Sequence, residues 1–251
     1  MPIDEKTFVK MDYTGRVKET GDVFDTTVEE VAKEAGVFNE EKEYKPMILA
    51  VGSTQLIPLL HDEIKKLEVG DKQTVDVPCE QAFGKRDPSL IQLIPMKEFK
   101  RQDIKPFVGM PISSNGNTGI VRTISGGRVR VDFNHELAGK DITYEIEIID
   151  TIEDNDEKIK GLIEVYYGNP NLDIEKTEID IEDGVAKIKL DQLAGFEQRS
   201  VQEVTLSKFR VAREAYENID EIDKVQFVEE YEQPPEEEED EEVPEKLTDD
   251  E

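Results

Sequence analysis

Tryptophan is absent, cysteine occurs once and histidine twice, and acidic residues outnumber basic ones almost two to one. The missing tryptophan excludes nothing by itself. The lone cysteine, Cys79, excludes an intramolecular disulfide and fits a reducing compartment. With 31 basic against 60 acidic residues the formal net charge is −29. A field of that sign repels nucleic acid and anionic lipid, so neither is expected as a partner. No apolar run approaches the roughly 20 residues that span a bilayer. The opening MPIDEKTF lacks both the basic start and the apolar core of a secretion signal, and a cytoplasmic protein is expected. His61, His135 and Cys79 are scattered, none with a ligand partner three or four residues away, so neither a metal nor a cofactor is expected.

What is present is modest in apolar content and rich in charge, 36% of each over 251 residues. That length accommodates one large domain or two to three small ones, with small cores under charged surfaces. The charge is uneven. Residues 232–251 carry twelve acidic side chains against one lysine, a stretch too polar to bury and read as a disordered tail.

Val9, Met11 and Tyr13 alternate with Lys10, Asp12 and Thr14, the period of a half-buried strand. Residues 18–22 supply a turn, Val23-Phe24 begin the return strand, and Asp25 follows directly. A lone aspartate there reads best as a turn cap before Thr26-Thr27; the other reading is a carboxylate set beside an aromatic wall. A short helix follows on a loop, with Thr27 as N-cap and Gly36 as stop. Residues 44–52 and 71–78 read as strands. Between them Leu56, Ile57, Leu60, Ile64 and Leu67 form one helical stripe.

From Arg86 the texture changes to short strands, with two hairpins closed at Asn115-Gly116 and Gly126-Gly127. Residues 140–153 form a long strand with Ile142, Tyr144, Ile146 and Ile148 on one face. After a polar break, residues 159–168 read as helix and 177–190 as a hairpin turning at Asp183-Gly184. Residues 207–219 read as an amphipathic helix capped by Ser207, and 225–231 as a last strand.

Four segments in order, YTGRVKETGDVFDTT, VGSTQLIPLLHDEIKKLEVGDKQTVDVP, AFGKRD and NHELAGKDITYEIEII, resemble the FKBP-type peptidyl-prolyl isomerases. The resemblance is closest to the SlyD-like branch, which carries a domain inserted between the last two segments, and within it to the long archaeal form with an added C-terminal domain. It covers about residues 4–153 in specific motifs; the C-terminal unit is matched only by position and texture. The implied fold is α+β: an antiparallel half-rolled sheet around a short helix at Leu56–Leu67, a small inserted β domain, and a C-terminal α+β domain. The implied division is 1–85 plus 132–154 for isomerisation, 86–131 for the insert, 155–231 for the C-terminal domain and 232–251 for the acidic tail.

The resemblance implies a proline pocket with Asp25, Tyr13, Phe24, Ile57, Phe83 and Tyr144 as its catalytic set. Met47, Leu56, Leu60, His135, Leu137 and Ala138 are implied as further substrate-binding walls. The Ile57 N–H would hold the substrate carbonyl, and Asp25 would act through Tyr13 or face the amide dipole. The chain departs from the family at Leu59, where glycine is usual, at His61, where an acid is common, and at Phe83, where tyrosine is usual. Loss of that tyrosine hydroxyl predicts reduced, not abolished, turnover. Expected partners are unfolded or partly folded chains containing X-Pro bonds, with a homodimer through the C-terminal domain as a further expectation. The alternative is a non-catalytic holdase that binds clients through the inserted and C-terminal domains.

Overall fold

Alternating burial along β1 (Phe8–Val17) sends Val9 and Met11 to one face and Phe8 to the other, and all three are fully buried. β1 can hide both faces because it is central. One edge pairs antiparallel with β9 (Ile142–Ile152), from Phe8 opposite Ile152 to Val17 opposite Ile142. The other edge is shared by β3 (Met47–Ala50) and β2 (Val23–Thr26), and β4 (Lys72–Val77) completes the sheet beyond β9. The computed structural model describes residues 3–40, 42–53, 56–114, 116–169, 171–191 and 199–230. The expected acidic tail therefore lies outside the described residues.

α2 (Pro58–Ile64) lies against the concave face, where Leu60 and Ile64 join Val9, Met11, Leu49, Val75, Ile146 and Ile148. It is shorter than the expected Leu56–Leu67. Pro58 occupies the first turn and disfavours helical geometry in the residue before it, so Ile57 stays extended (φ −59°, ψ 132°). α1 (Glu29–Ala35) ends at Gly36 (φ 70°) as expected, but Val28 and not Thr27 is its N-cap. Thr27 is engaged elsewhere: its hydroxyl donates to Asp12 Oδ1 (2.7 Å) and accepts from the Tyr13 N–H (2.9 Å).

The insert is an antiparallel sheet in the order β5 (Ile91–Pro95), β8 (Arg128–Asp132), β7 (Asn117–Ser125), β6 (Pro111–Ser114). α3 (Met96–Arg101), not expected from the sequence, closes one face by burying Phe99 on Val121, Val129 and Val131. Leu93, Phe107 and Val108 remain about 60% exposed.

The C-terminal unit begins with α4 (Asn155–Leu162), capped by Asp154, whose carboxylate accepts from the Glu157 N–H (2.9 Å). A π-helical turn, residues 163–167, extends it to Gly168. β10 (Glu178–Glu182) and β11 (Val185–Lys189) form the expected hairpin, with Asp183 and Gly184 both at positive φ as its tight turn demands. α5 (Val201–Asn218) starts six residues earlier than expected. Ser200 caps it in a capping box with Glu203, and Ser207 is buried within it. The last strand, β12 (Lys224–Phe227), runs parallel to β11 and stops short of the expected residue 231.

Candidate active site

The candidate site lies where β1, β2 and β9 run side by side. Gly15 sits opposite both Asp25 and Tyr144, and a Cβ there would overlap the Phe24 ring. Its missing side chain is what lets Phe24 lie across β1. A glycine inside an alternating strand is the sequence signal of such a close approach. Phe24 meets Tyr144 edge-on at 5.9 Å (85°) and Phe83 edge-on at 5.9 Å (90°). Phe83 stacks on the His135 imidazole at 4.7 Å, and Tyr13 and Tyr144 are tilted at 6.3 Å. The loop carrying His135 is tied down by the Gly139 N–H donating to Gly84 O (2.8 Å).

Two apolar clusters meet here, and Ala82 and Tyr144 belong to both. One contains Leu137 with Val17, Ile142, Phe24 and Phe83; the other takes in Tyr13, Met47, Leu56, Ile57 and Leu59. Leu137 and Ala138 are buried, and Leu60, 2% exposed, lies in the core beneath and offers a ligand no surface. Met47, Leu56 and Ile57 are half-buried.

Polar groups are few and mostly committed. The Tyr13 hydroxyl donates to Asp25 Oδ2 (2.5 Å), while Asp25 Oδ1 accepts from Lys42 Nζ (2.5 Å) and the Thr26 N–H (2.9 Å). Burial, and after it the bond to Asp25, hold the Tyr13 hydroxyl protonated far above the usual phenol range. Burial and then the Asp25 charge push Tyr144 up to about 12. Among the described residues nothing accepts from the Tyr144 hydroxyl or from the Ile57 N–H. Lys42 was not anticipated. It reaches Asp25 from seventeen residues along the chain, and no local pattern announces that contact.

His61 is not at the site. Its Nδ1 accepts from the Gly52 N–H (2.9 Å) and its Nε2 donates to Ser53 O (2.9 Å), pinning α2 to the turn after β3. Among the described residues no group of three or more histidine, cysteine, aspartate or glutamate side chains is arranged to hold a metal ion. Among the described residues no helix is long and apolar enough to cross a membrane.

A family model described as FKBP-type peptidyl-prolyl cis-trans isomerase matches residues 2–99. A short-type peptidyl-prolyl cis-trans isomerase of Methanocaldococcus jannaschii is 39% identical over 148 residues, which cover 59% of this chain and 93% of that one. The chain belongs to the FKBP-type peptidyl-prolyl isomerase family. Its additions to the FKBP unit are matched as well: a model described as FKBP26, IF domain, covers residues 92–137, and one for the FKBP26 C-terminal region covers 155–232. A probable FKBP-type 16 kDa isomerase of Pseudomonas fluorescens is 30% identical over 151 residues, covering 59% of this chain and 91% of that one. The SlyD isomerase of Helicobacter pylori is 25% identical over 118 residues, 46% of this chain and 64% of that one. Within this FKBP frame the C-terminal unit, whose sequence resembles the family only in position and texture, has a family match of its own.

Proposed function

We propose that this chain catalyses cis/trans isomerisation of X-Pro bonds in unfolded or partly folded proteins, and that its insert and C-terminal domain hold those clients. The observation that carries the reading is the aromatic enclosure of Phe24, Phe83, Tyr13 and Tyr144 with two donors left over, the Ile57 N–H and the Tyr144 hydroxyl.

Rotation about a peptide bond is opposed by amide resonance, a barrier of about 18–20 kcal/mol. Cis and trans X-Pro forms differ little in energy, yet exchange over tens of seconds or more. A catalyst therefore needs no nucleophile, only tighter binding of the twisted amide than of either planar form. The planar amide has a large dipole that water stabilises, and the apolar walls withdraw that water. The twisted amide has lost much of the dipole and loses less on entry. The Ile57 N–H and Tyr144 hydroxyl would take the carbonyl oxygen, with Tyr144 supplying the hydroxyl that Phe83 lacks. Asp25 acts in this scheme through Tyr13, because both of its oxygens are already engaged.

The division of labour assigns isomerisation to 1–85 plus 132–154, client capture to 86–131 and 155–231, and a solvated tail to 232–251. Leu93, Phe107 and Val108, each exposed on the small insert, support its role by offering apolar side chains to a client. Leu206, Phe209 and Tyr216 on the exposed side of α5 support a homodimer through the C-terminal domain, which sedimentation with and without 155–251 tests. A cytoplasmic setting and the lack of nucleic-acid or membrane partners belong to the same proposal, on the strength of the acidic charge and single cysteine.

The deciding experiment follows the slow refolding of a protein limited by one prolyl bond, with this chain in catalytic amounts. A second arm replaces 86–131 with a short loop. Acceleration that drops sharply in the second arm is expected. No acceleration, with aggregation still suppressed, would instead favour the holdase reading.

A further inference from the structure

Lys42 lies outside the apolar wall, yet it touches the pocket's one carboxylate. Its ammonium donates to Asp25 Oδ1 (2.5 Å) and Thr26 O (3.0 Å) and sits 5.4 Å from the Tyr44 ring. Tyr44 stacks on Phe38 at 5.4 Å and accepts from the Asn39 N–H (3.0 Å), and Lys33 lies over Phe38. None of the described residues from 37 to 46 belongs to a helix or strand, so ladder hydrogen bonds do not fix this segment. Side-chain contacts do. At its far end Lys45 pairs with Glu43 (2.7 Å) and with Glu164 on the turn after α4, across a groove of about 450 Å³ that Lys42 also lines. α4 is itself seated on the isomerase sheet, with Gly161 against Ile48 of β3.

We infer that Lys42 is a positioning and charge-balancing residue of the isomerase site, and that the C-terminal domain holds it there through the Lys45–Glu164 pair. This rests on the isomerase reading above and adds to it a role for the C-terminal domain other than client binding. With Lys42 in place the Asp25 charge is compensated, and Tyr13 keeps its orientation. Without Lys42 the rim of a water-poor pocket carries an uncompensated negative charge. That charge repels an acidic residue next to the client's proline and attracts a basic one. Lys42 thus sets which charges the site tolerates beside the scissile-free, rotating bond.

The test uses the full chain and three short peptides that differ only in the residue before proline: alanine, glutamate or lysine. Lys42→Gln is expected to lower kcat/KM for the glutamate peptide about tenfold more than for the lysine peptide, a gap that added salt narrows. Lys42→Arg keeps the wild-type ratio. Glu164→Gln shifts the ratio in the same direction by about threefold and adds nothing in the Lys42→Gln background. The ratio is internal to each variant, so a general loss of folded protein leaves it unchanged. Equal loss on all three peptides in Lys42→Gln overturns the charge role. An unchanged ratio in Glu164→Gln, or one additive with Lys42→Gln, overturns the hold by the C-terminal domain. Wild-type protein inactive on all three peptides overturns the isomerase reading itself.

Discussion

Tyr144 carries the one pocket phenol that is not already spent on an internal bond, since Tyr13 donates to Asp25 and position 83 is phenylalanine. Tyr144→Phe keeps the ring that Phe24 packs against and removes only the donor. A neutral hydrogen bond contributes about 0.5–1.5 kcal/mol, so kcat/KM should fall by roughly two- to tenfold with the fold intact, measured on a short proline peptide. An unchanged rate would take Tyr144 out of the mechanism and leave the Ile57 N–H as the carbonyl's partner. Because burial and Asp25 push Tyr144 up to about 12, its hydroxyl stays protonated at neutral pH and should add no titration to the rate there. Gly15 is the complementary case: Gly15→Ala forces the Phe24 ring aside, and loss of activity is expected with the sheet still formed, checked by activity alongside far-UV dichroism. At this scale the aromatic residues were legible because they fall in short local words. Lys42 was not, since its partner is set by a chain excursion that only the folded molecule closes.

The junction between the isomerase sheet and the insert turns on one element, the end of β8. Asp132 is 3% exposed there and accepts from Arg86 through Oδ2 and from the Asn134 N–H (3.0 Å) and Nδ2 (2.8 Å) through Oδ1. Asn134 in turn accepts from the Asp87 N–H (2.7 Å), so the two irregular segments that cross into the insert are stapled side by side. Burial pushes the Asp132 carboxyl up, but the bonds from Arg86 and Asn134 outweigh it and hold it at about 2, below the ordinary 3.8. A depressed value favours the folded state above the unfolded-state pKa, and that contribution is lost as pH falls through the folded one. Asp132 should therefore add about 2 kcal/mol at neutral pH, disappearing between about pH 4 and pH 2. Urea unfolding of wild type and Asp132→Asn should differ at pH 7 and converge near pH 2; a gap that persists there would refute the linkage. Elements with a period and a turn dipeptide, such as β9 and the Asp183-Gly184 hairpin, were legible. α5 was misplaced because its first six residues, VQEVTL, lack a clear stripe, although Ser200 and Glu203 spell its cap.

Over the whole molecule the two additions are joined to the isomerase sheet in different ways. The insert has its own small core, whereas the C-terminal domain shares one with the sheet. Phe8, Ala50 and Ile152, from the outer face of β1, β3 and β9, pack with Ile159, Leu162, Ile163, Ile188, Val211 and Ala215. Ile149, the extra residue where β9 bulges against Lys10 and Met11, lies just before this seam. Strict alternation from Ile148 would put Ile152 on the same face; the bulge turns it to the face that packs on the C-terminal domain. Gly161 marks a close approach within the seam: a Cβ there would stand 2.5 Å from Ile48 Cβ and 2.6 Å from its Cγ2. Alanine at a helix interior is favoured over glycine by about 1 kcal/mol, so on propensity alone Gly161→Ala should stabilise α4. The overlap with Ile48 has the opposite sign, and forcing a methyl into a packed interior costs about 1–3 kcal/mol. Packing should prevail, because both partners sit on regular elements with no room to withdraw. Gly161→Ala is expected to lower the urea midpoint and to speed hydrogen exchange in α4 and α5, with β5–β8 of the insert unaffected. A raised midpoint would mean that propensity wins and that the seam between the domains yields.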